Sequence, residues 1–223
     1  MELTNAIAVV TGANRGLGRV LAAQLLERGA KVYATSRRPE TIDLPGVTPL
    51  YLDVTKPESI EEAAKTAVDA TLLINNAGVA TGARLTGGDL QDIKLEMETH
   101  YFGTLATTRA FAPVIAGNGG GGILNVLSVL AWAHLPQYGA YSAAKAAAWA
   151  LTNATRAELA EKNIQVSALH VAYMDTDMAA FVPKEDKIDP ELVAKIALDG
   201  FAAGLPEILA DDLTRTVKAG LAG

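Results

Sequence analysis

The chain has 223 residues, with 19 Lys+Arg against 25 Asp+Glu and a formal charge of −6, a balance that argues against a general polyanion binder. Half of the residues are hydrophobic and a fifth are charged, enough to bury a core and too apolar for a disordered chain. Cysteine is absent, which removes disulfide scaffolds, thiolate catalysis and Cys-ligated zinc. Met1 to Asn5 lacks a basic lead, and no stretch approaches the ~20 apolar residues of a membrane helix. The expectation is one unprocessed cytoplasmic domain over 1–223, with neither a membrane nor a nucleic acid as partner.

In chain order, Ala6 to Val10 is a continuous apolar, β-rich run, Thr11 to Gly18 is a glycine turn, and Arg19 to Arg28 has apolar residues at helical spacing. Gly29 closes that helix, and Lys31 to Thr35 starts a second strand. Further strands are predicted at Thr48 to Leu52 and Thr71 to Ile74, with helices from Pro57 to about Val68 and from about Leu90 to Ile115. Gly117 to Gly122 reads as a tight loop, since the apolar run Ile123 to Leu127 follows at once. An alanine-rich helix from about Tyr141 to Lys162 comes next, then a strand at Gln165 to Leu169 and a polar loop through Asp189. A helix from about Pro190 to Ala203, the run Glu207 to Ala210 and a last helix complete the pattern. Strands alternating with helices predict an α/β fold with a doubly wound, mostly parallel sheet, because parallel pairing requires crossovers.

The glycines of Thr11-Gly12-Ala13-Asn14-Arg15-Gly16-Leu17-Gly18 are spaced G-x-x-x-G-x-G. Glycine lets the backbone turn sharply and approach a pyrophosphate, and free N–H groups at the following helix start favour that anion. Dinucleotide sites commonly place a carboxylate at the end of the second strand for the adenosine ribose. Here that strand runs into Ser36-Arg37-Arg38, and Arg15 adds another guanidinium. A 2′-phosphate suits these groups, so NADP(H) is expected over NAD(H).

Tyr141 and Lys145 are four apart and share a helix face, and Ser128 stands just past a strand expected to end near Leu127. An ammonium beside a phenol is expected to lower the phenol's pKa from about 10, while a serine hydroxyl stabilises a substrate oxygen. Tyr141 would then be general acid for carbonyl reduction and base for alcohol oxidation. With TGANRGLG at Thr11 to Gly18, LDV at Leu52 to Val54, NNAG at Asn75 to Gly78, Ser128, and YSAAK at Tyr141 to Lys145, the chain resembles the short-chain dehydrogenase/reductase family over essentially its whole length. The resemblance implies a single-domain Rossmann fold of about seven strands. It also implies hydride delivery from the nicotinamide, Tyr141 as proton donor, and Lys145 also on the nicotinamide ribose. It further implies Asp53 and Val54 at the adenine, Asn75, Ala77 and Gly78 in the segment supporting the central strand and cofactor, and Thr176, with Met174, at the nicotinamide. A homodimer or homotetramer, formed through the alanine-rich helix and the long helix before the serine strand, is implied as well.

Two departures stand out. In Thr99-His100-Tyr101-Phe102-Gly103 a histidine occupies the place of the family's relay asparagine. Imidazole donates and accepts like an amide but titrates near pH 6.5, so His100 is read as a relay member, with a packing role or an impaired enzyme left open. The family's Pro-Gly after the sixth strand is Val171-Ala172 here. Trp132, His134, Leu135 and Tyr138 are expected to line the substrate pocket, with Tyr173 and Met174 narrowing it and only a small lid after Met178. Their character suits a small apolar carbonyl or alcohol. No metal site is expected from His134 and His170, and Asp175 and Asp177 read as polar loop residues. A dinucleotide-binding regulator without turnover is the alternative, and a lyase or epimerase of the extended branch is disfavoured because such chains carry a longer C-terminal part.

Overall fold

The computed structural model describes residues 1–221; the last two positions of the expected 1–223 domain lie outside the described residues. Seven strands form one parallel sheet in the order β3-β2-β1-β4-β5-β6-β7. They are β1 (Ile7–Val10), β2 (Lys31–Ser36), β3 (Thr48–Tyr51), β4 (Leu72–Asn75), β5 (Gly121–Val126), β6 (Ile164–His170) and β7 (Glu207–Leu209). The α-helices are α1 (Gly16–Glu27), α2 (Pro57–Thr66), α3 (Leu90–Met97), α4 (Gly103–Gly117), α5 (Gly139–Leu159), α6 (Pro190–Ala202) and α7 (Asp212–Gly220). Among the described residues no helix is long and apolar enough to cross a membrane.

The strand residues alternate between two cores. Ala8 and Val10 of β1 face α1 and α6, joining Leu21, Leu25, Leu198 and Phe201. Val9 faces the other way, joining Leu73, Ile123, Ile60 of α2 and Phe111 and Ile115 of α4. Both faces of a parallel sheet are thus buried, which is why the strands read as continuous apolar runs. The chain reverses direction of travel across the sheet between β1 and β4, where a crevice opens beyond the carboxyl ends of the strands.

Polar side chains also hold this centre. Asn75 at the end of β4 donates to the Asn125 Oδ1 at 2.8 Å and accepts from the Thr107 hydroxyl at 2.7 Å, while Asn125 donates to Thr152 at 2.9 Å. All four are buried, so the network ties β4 and β5 to α4 and α5 without leaving an amide orphaned.

The helix expected over Leu90 to Ile115 is interrupted. α3 ends at Met97, Glu98–Phe102 form a π turn, and α4 begins at Gly103. A Cβ on Gly103 would stand 2.9 Å from the Val54 Cβ, so glycine lets the helix press on the segment after β3. A single π turn is a local register shift of the kind common at functional sites, and 3.6-residue periodicity does not reveal it. The tight loop expected over Gly117 to Gly122 shrinks to 118–120, because Gly117 closes α4 and Gly121 opens β5; Gly119 and Gly120 make the turn at φ +93° and +99°.

Replacing Asn125 by leucine removes the acceptor of the Asn75 amide in a dry environment. Urea denaturation should show a loss of about 1–3 kcal/mol; an unchanged midpoint would mean that the network is dispensable.

Candidate active site

The crevice is a cleft of about 310 Å³ running from the glycine turn to Ser128. Gly12 and Gly16 adopt φ of +66° and +55°, the left-handed region that glycine tolerates. A Cβ on Gly18 would stand 2.3 Å from the Gly12 carbonyl oxygen, so the third glycine is required by the turn folding onto its own helix. The turn is clamped from β4: the Thr11 hydroxyl accepts from the Asn76 and Ala77 N–H groups at 2.9 Å each, and the Asn76 side chain donates to the Thr11 and Gly12 carbonyls at 2.9 and 3.2 Å. α1 has no acidic residue in its first turn and no side-chain cap, so its N–H groups remain available to an anion. The donor set therefore fits a dinucleotide pyrophosphate.

Gly12, Asn14, Arg15, Gly16, Leu17, Gly18, Ser36, Arg37, Asp53, Val54, Ala77, Gly78, Met174 and Thr176 all line the cleft. Asn75 is the exception: it lies beneath the floor in the polar network, and Asn76 lines the cleft in its stead. Arg38 is also outside; its backbone N–H donates to Ser36 Oγ at 3.1 Å, leaving Arg37 as the guanidinium at the strand end. Arg15 pairs with Asp177 at 2.6 Å, joining the glycine turn to the segment after β6, and Asp175 pairs with Lys187 at 2.9 Å.

Ser128, Tyr141, Lys145 and His100 meet at the other end of the cleft. Ser128 follows β5 and caps a short 3-10 turn, its Oγ accepting the Leu130 N–H at 3.1 Å, which leaves its own proton free to donate. α5 places Tyr141 and Lys145 one turn apart. The Lys145 ammonium is buried, donates to the Val126 carbonyl at 2.8 Å and lies 5.5 Å from the Tyr141 ring centre. The expected lowering of the Tyr141 pKa does not occur. Desolvation pushes the phenol well up, the Glu96 carboxylate adds to that, and only a hydrogen bond with Ser128 pulls it down. The ammonium itself is pushed down to about 8 by burial, with Glu96 opposing. With loss of water dominating both groups, Tyr141 stays a neutral O–H donor through the physiological range.

His100 sits on the π turn with its ring centre 5.0 Å from that of Tyr141, edge to face. It is 2% exposed and its Nε2 lies 2.8 Å from the Val79 carbonyl. Sequence reasoning missed Glu96, one turn earlier and 0% exposed, whose Oε2 is 3.2 Å from His100 Nε2. Its Oε1 accepts the Thr81 N–H at 2.6 Å and the Thr81 hydroxyl at 3.0 Å. The i,i+4 spacing of Glu96 and His100 was visible, but not that both would be buried.

The substrate side also differs from expectation. Tyr138, Tyr173 and Met174 line the cleft, joined by Leu95, Leu130 and Phe181, whereas Trp132, His134 and Leu135 do not. Trp132 is buried, stacked on His170 at 3.8 Å and edge-on to Trp149 at 6.0 Å. Lys218 of α7 lies 4.4 Å from the Trp132 ring centre and pairs with Glu207 at 2.6 Å, and Glu207 also accepts the Trp149 indole N–H at 2.8 Å. His134 is exposed to solvent. Two short 3-10 turns, Asp177–Ala179 and Lys184–Asp186, occupy the segment where a small lid is expected. Among the described residues no cluster able to hold a metal ion is found.

The model of the short chain dehydrogenase family matches residues 6–187. The chain belongs to this family. A short chain dehydrogenase from Burkholderia cenocepacia, solved in complex with NADP, is 40% identical and superposes with a TM-score of 0.96 over 100% of this chain and 95% of its own. An uncharacterized oxidoreductase of Staphylococcus aureus is 31% identical over 88% of this chain and 90% of its own length. A Burkholderia phymatum short chain dehydrogenase/reductase, solved with NAD, shares the fold at a TM-score of 0.85 over 98% of this chain and 93% of that one, with 24% identity. This short-chain dehydrogenase is accordingly an oxidoreductase with the family's nicotinamide-dinucleotide fold.

Proposed function

We propose that the protein is an NADP(H)-dependent oxidoreductase that interconverts a small apolar ketone or aldehyde and its alcohol, with Tyr141 as general acid/base. The observation that carries this reading is the convergence of Ser128, Tyr141 and Lys145 at one end of a cleft whose other end is the glycine turn. Bound at that turn, the nicotinamide cofactor supplies or takes the hydride.

The Ser128 hydroxyl donates to the carbonyl oxygen, and the Tyr141 O–H protonates it as negative charge develops. Lys145, anchored on the Val126 carbonyl, is in place for the nicotinamide ribose and for resupplying the proton. His100 serves as the relay member behind them. Because burial keeps the phenol protonated, the site favours reduction at neutral pH. Preference for NADP(H) is supported by Ser36 and Arg37 on the cleft wall at the end of β2 and by Arg15 on the glycine turn, and the Burkholderia cenocepacia relative holds NADP. The walls from Leu95, Leu130, Tyr138, Tyr173 and Phe181 favour an apolar substrate. We read the assembly as a homodimer or homotetramer, to which the exposed Leu95 and Phe102 beside the α3–α4 junction would contribute, and its location as cytoplasmic.

Tyr141→Phe should lower kcat for NADPH-dependent carbonyl reduction about 100-fold or more while the protein melts like wild type. Tight NADPH binding with no turnover in wild type, and a Tyr141→Phe variant indistinguishable from it, would instead favour a dinucleotide-binding regulator. Arg37→Ala should raise the KM for NADPH about tenfold and leave that for NADH unchanged, through loss of a charge-assisted contact; equal effects on both would refute the 2′-phosphate assignment. Reduction consumes a proton, and Lys145 is a cation below about 8 and neutral above it. Its kcat/KM should therefore be level on the acid side and fall about tenfold per pH unit above that value, measured as 340 nm absorbance across a buffer series. A profile level through that limb would exclude Lys145 as the titrating group.

A further inference from the structure

The Glu96–His100 pair has a consequence for the direction in which His100 can move protons. Three groups face His100 Nε2: the two nearer are acceptors, the Val79 carbonyl oxygen at 2.8 Å and a carboxylate oxygen at 3.2 Å whose partner oxygen is engaged by Thr81, and the third and farthest is the Val79 N–H at 3.4 Å. The two shortest contacts are acceptors, and a bare lone pair on Nε2 would face both of them, so the hydrogen is assigned to Nε2. The neutral ring's lone pair is then on Nδ1, and His100 Nδ1 is a buried atom without a hydrogen-bond partner. It lies beside Gly78, where a Cβ would stand 3.6 Å from Nδ1 and 2.9 Å from Cε1, and the same ring packs on Tyr141. An orphaned acceptor in a dry site is costly, and here it abuts the residues that exchange protons with substrate.

The geometry points to Glu96 as a positioning residue: it locks His100 in the Nε2–H tautomer, so that Nδ1 is the proton acceptor behind Tyr141 and Lys145, and it balances the imidazolium when Nδ1 is protonated. The inference rests on the proposed oxidoreductase reading. In alcohol oxidation the substrate O–H bond breaks and its proton passes through Tyr141 and Lys145. An N–H bond forms at His100 Nδ1, and the proton is then released to solvent. Reduction runs the same transfers backwards, with electrons leaving and entering only through the hydride. The charged and titratable groups facing His100 are Glu96 on its own helix and Tyr141 and Lys145 on α5. Burial and the Lys145 charge hold the imidazole's pKa down, and Glu96 opposes them. Glu96 is kept ionised against its own burial by the His100 ring 3.2 Å from its Oε2 and by the hydrogen bonds from Thr81 to its Oε1.

Nitrogen-15 NMR of the histidine ring in the ligand-free protein tests the tautomer without turnover. Wild type should show a pyrrole-type Nε2 and a pyridine-type Nδ1 for His100. Glu96→Gln keeps an oxygen for Thr81 but turns an N–H donor toward Nε2, so the tautomer should become mixed or inverted. Its kcat should fall about tenfold or more, with KM for NADPH changed less than twofold and the histidine limb of the pH profile moved to lower pH. In a His100→Asn background, Glu96→Gln should have no further effect on kcat. A pyridine-type Nε2 in wild type overturns the inference, even if Glu96→Gln does not fold. So does a Glu96→Gln variant with wild-type kcat and pH profile in an active enzyme. Absence of any NADPH oxidation by wild type, with the expected ring spectrum, would count against the oxidoreductase reading and leave the tautomer lock standing.

Discussion

The site depends first on the clamp between Thr11 and Asn76. A glycine turn is permissive by composition, and its three glycines alone would leave the backbone free to sample many shapes. Two N–H groups converging on one threonine hydroxyl, and one amide reaching two carbonyls, fix that turn to the end of β4 at the point where the sheet changes direction. The same four-residue segment then carries Ala77 against Gly12 and Gly78 against His100. The glycine-turn end and the His100–Tyr141 end of the cleft are thereby positioned by one short stretch of chain.

Burial then sets the electrostatics. Simple pair reasoning treats the lysine as an acidifier of the phenol, and that would hold for two charges at the surface. Inside the cleft, removing water destabilises phenolate and ammonium alike, and the buried Glu96 carboxylate shifts both groups toward their protonated forms. The outcome is a weakly acidic tyrosine next to a lysine whose pKa falls to about 8, so that both groups carry their protons at neutral pH.

Much of this architecture was legible in the residues. The strands of β1, β4 and β5 are unbroken apolar runs because a parallel sheet buries both faces, and the glycine spacing, Ser128 and the Tyr141/Lys145 helix face are local patterns that survive folding. What was not legible depended on three-dimensional packing. Trp132, near Ser128 in sequence, looks like a pocket wall, yet it turns inward because His170, Trp149 and Lys218 offer it stacking partners from three separate elements. Asn75 and Asn76 are adjacent and chemically identical, and only strand alternation sends one under the floor and the other into the cleft. The π turn at Glu98–Phe102 changes which residues face α5 with no compositional trace, and with it the placement of Glu96 beneath His100 stayed hidden.

The tryptophan cluster has a practical corollary. The chain contains two tryptophans, Trp132 and Trp149, and they share one small neighbourhood with a lysine cation and a histidine whose Nδ1 lies 3.3 Å from the Ser128 carbonyl. All indole emission from the molecule therefore originates beside the Ser128 backbone. The protein carries its own optical probe of that loop, and spectral shifts on adding a ligand report on this one corner with no introduced dye.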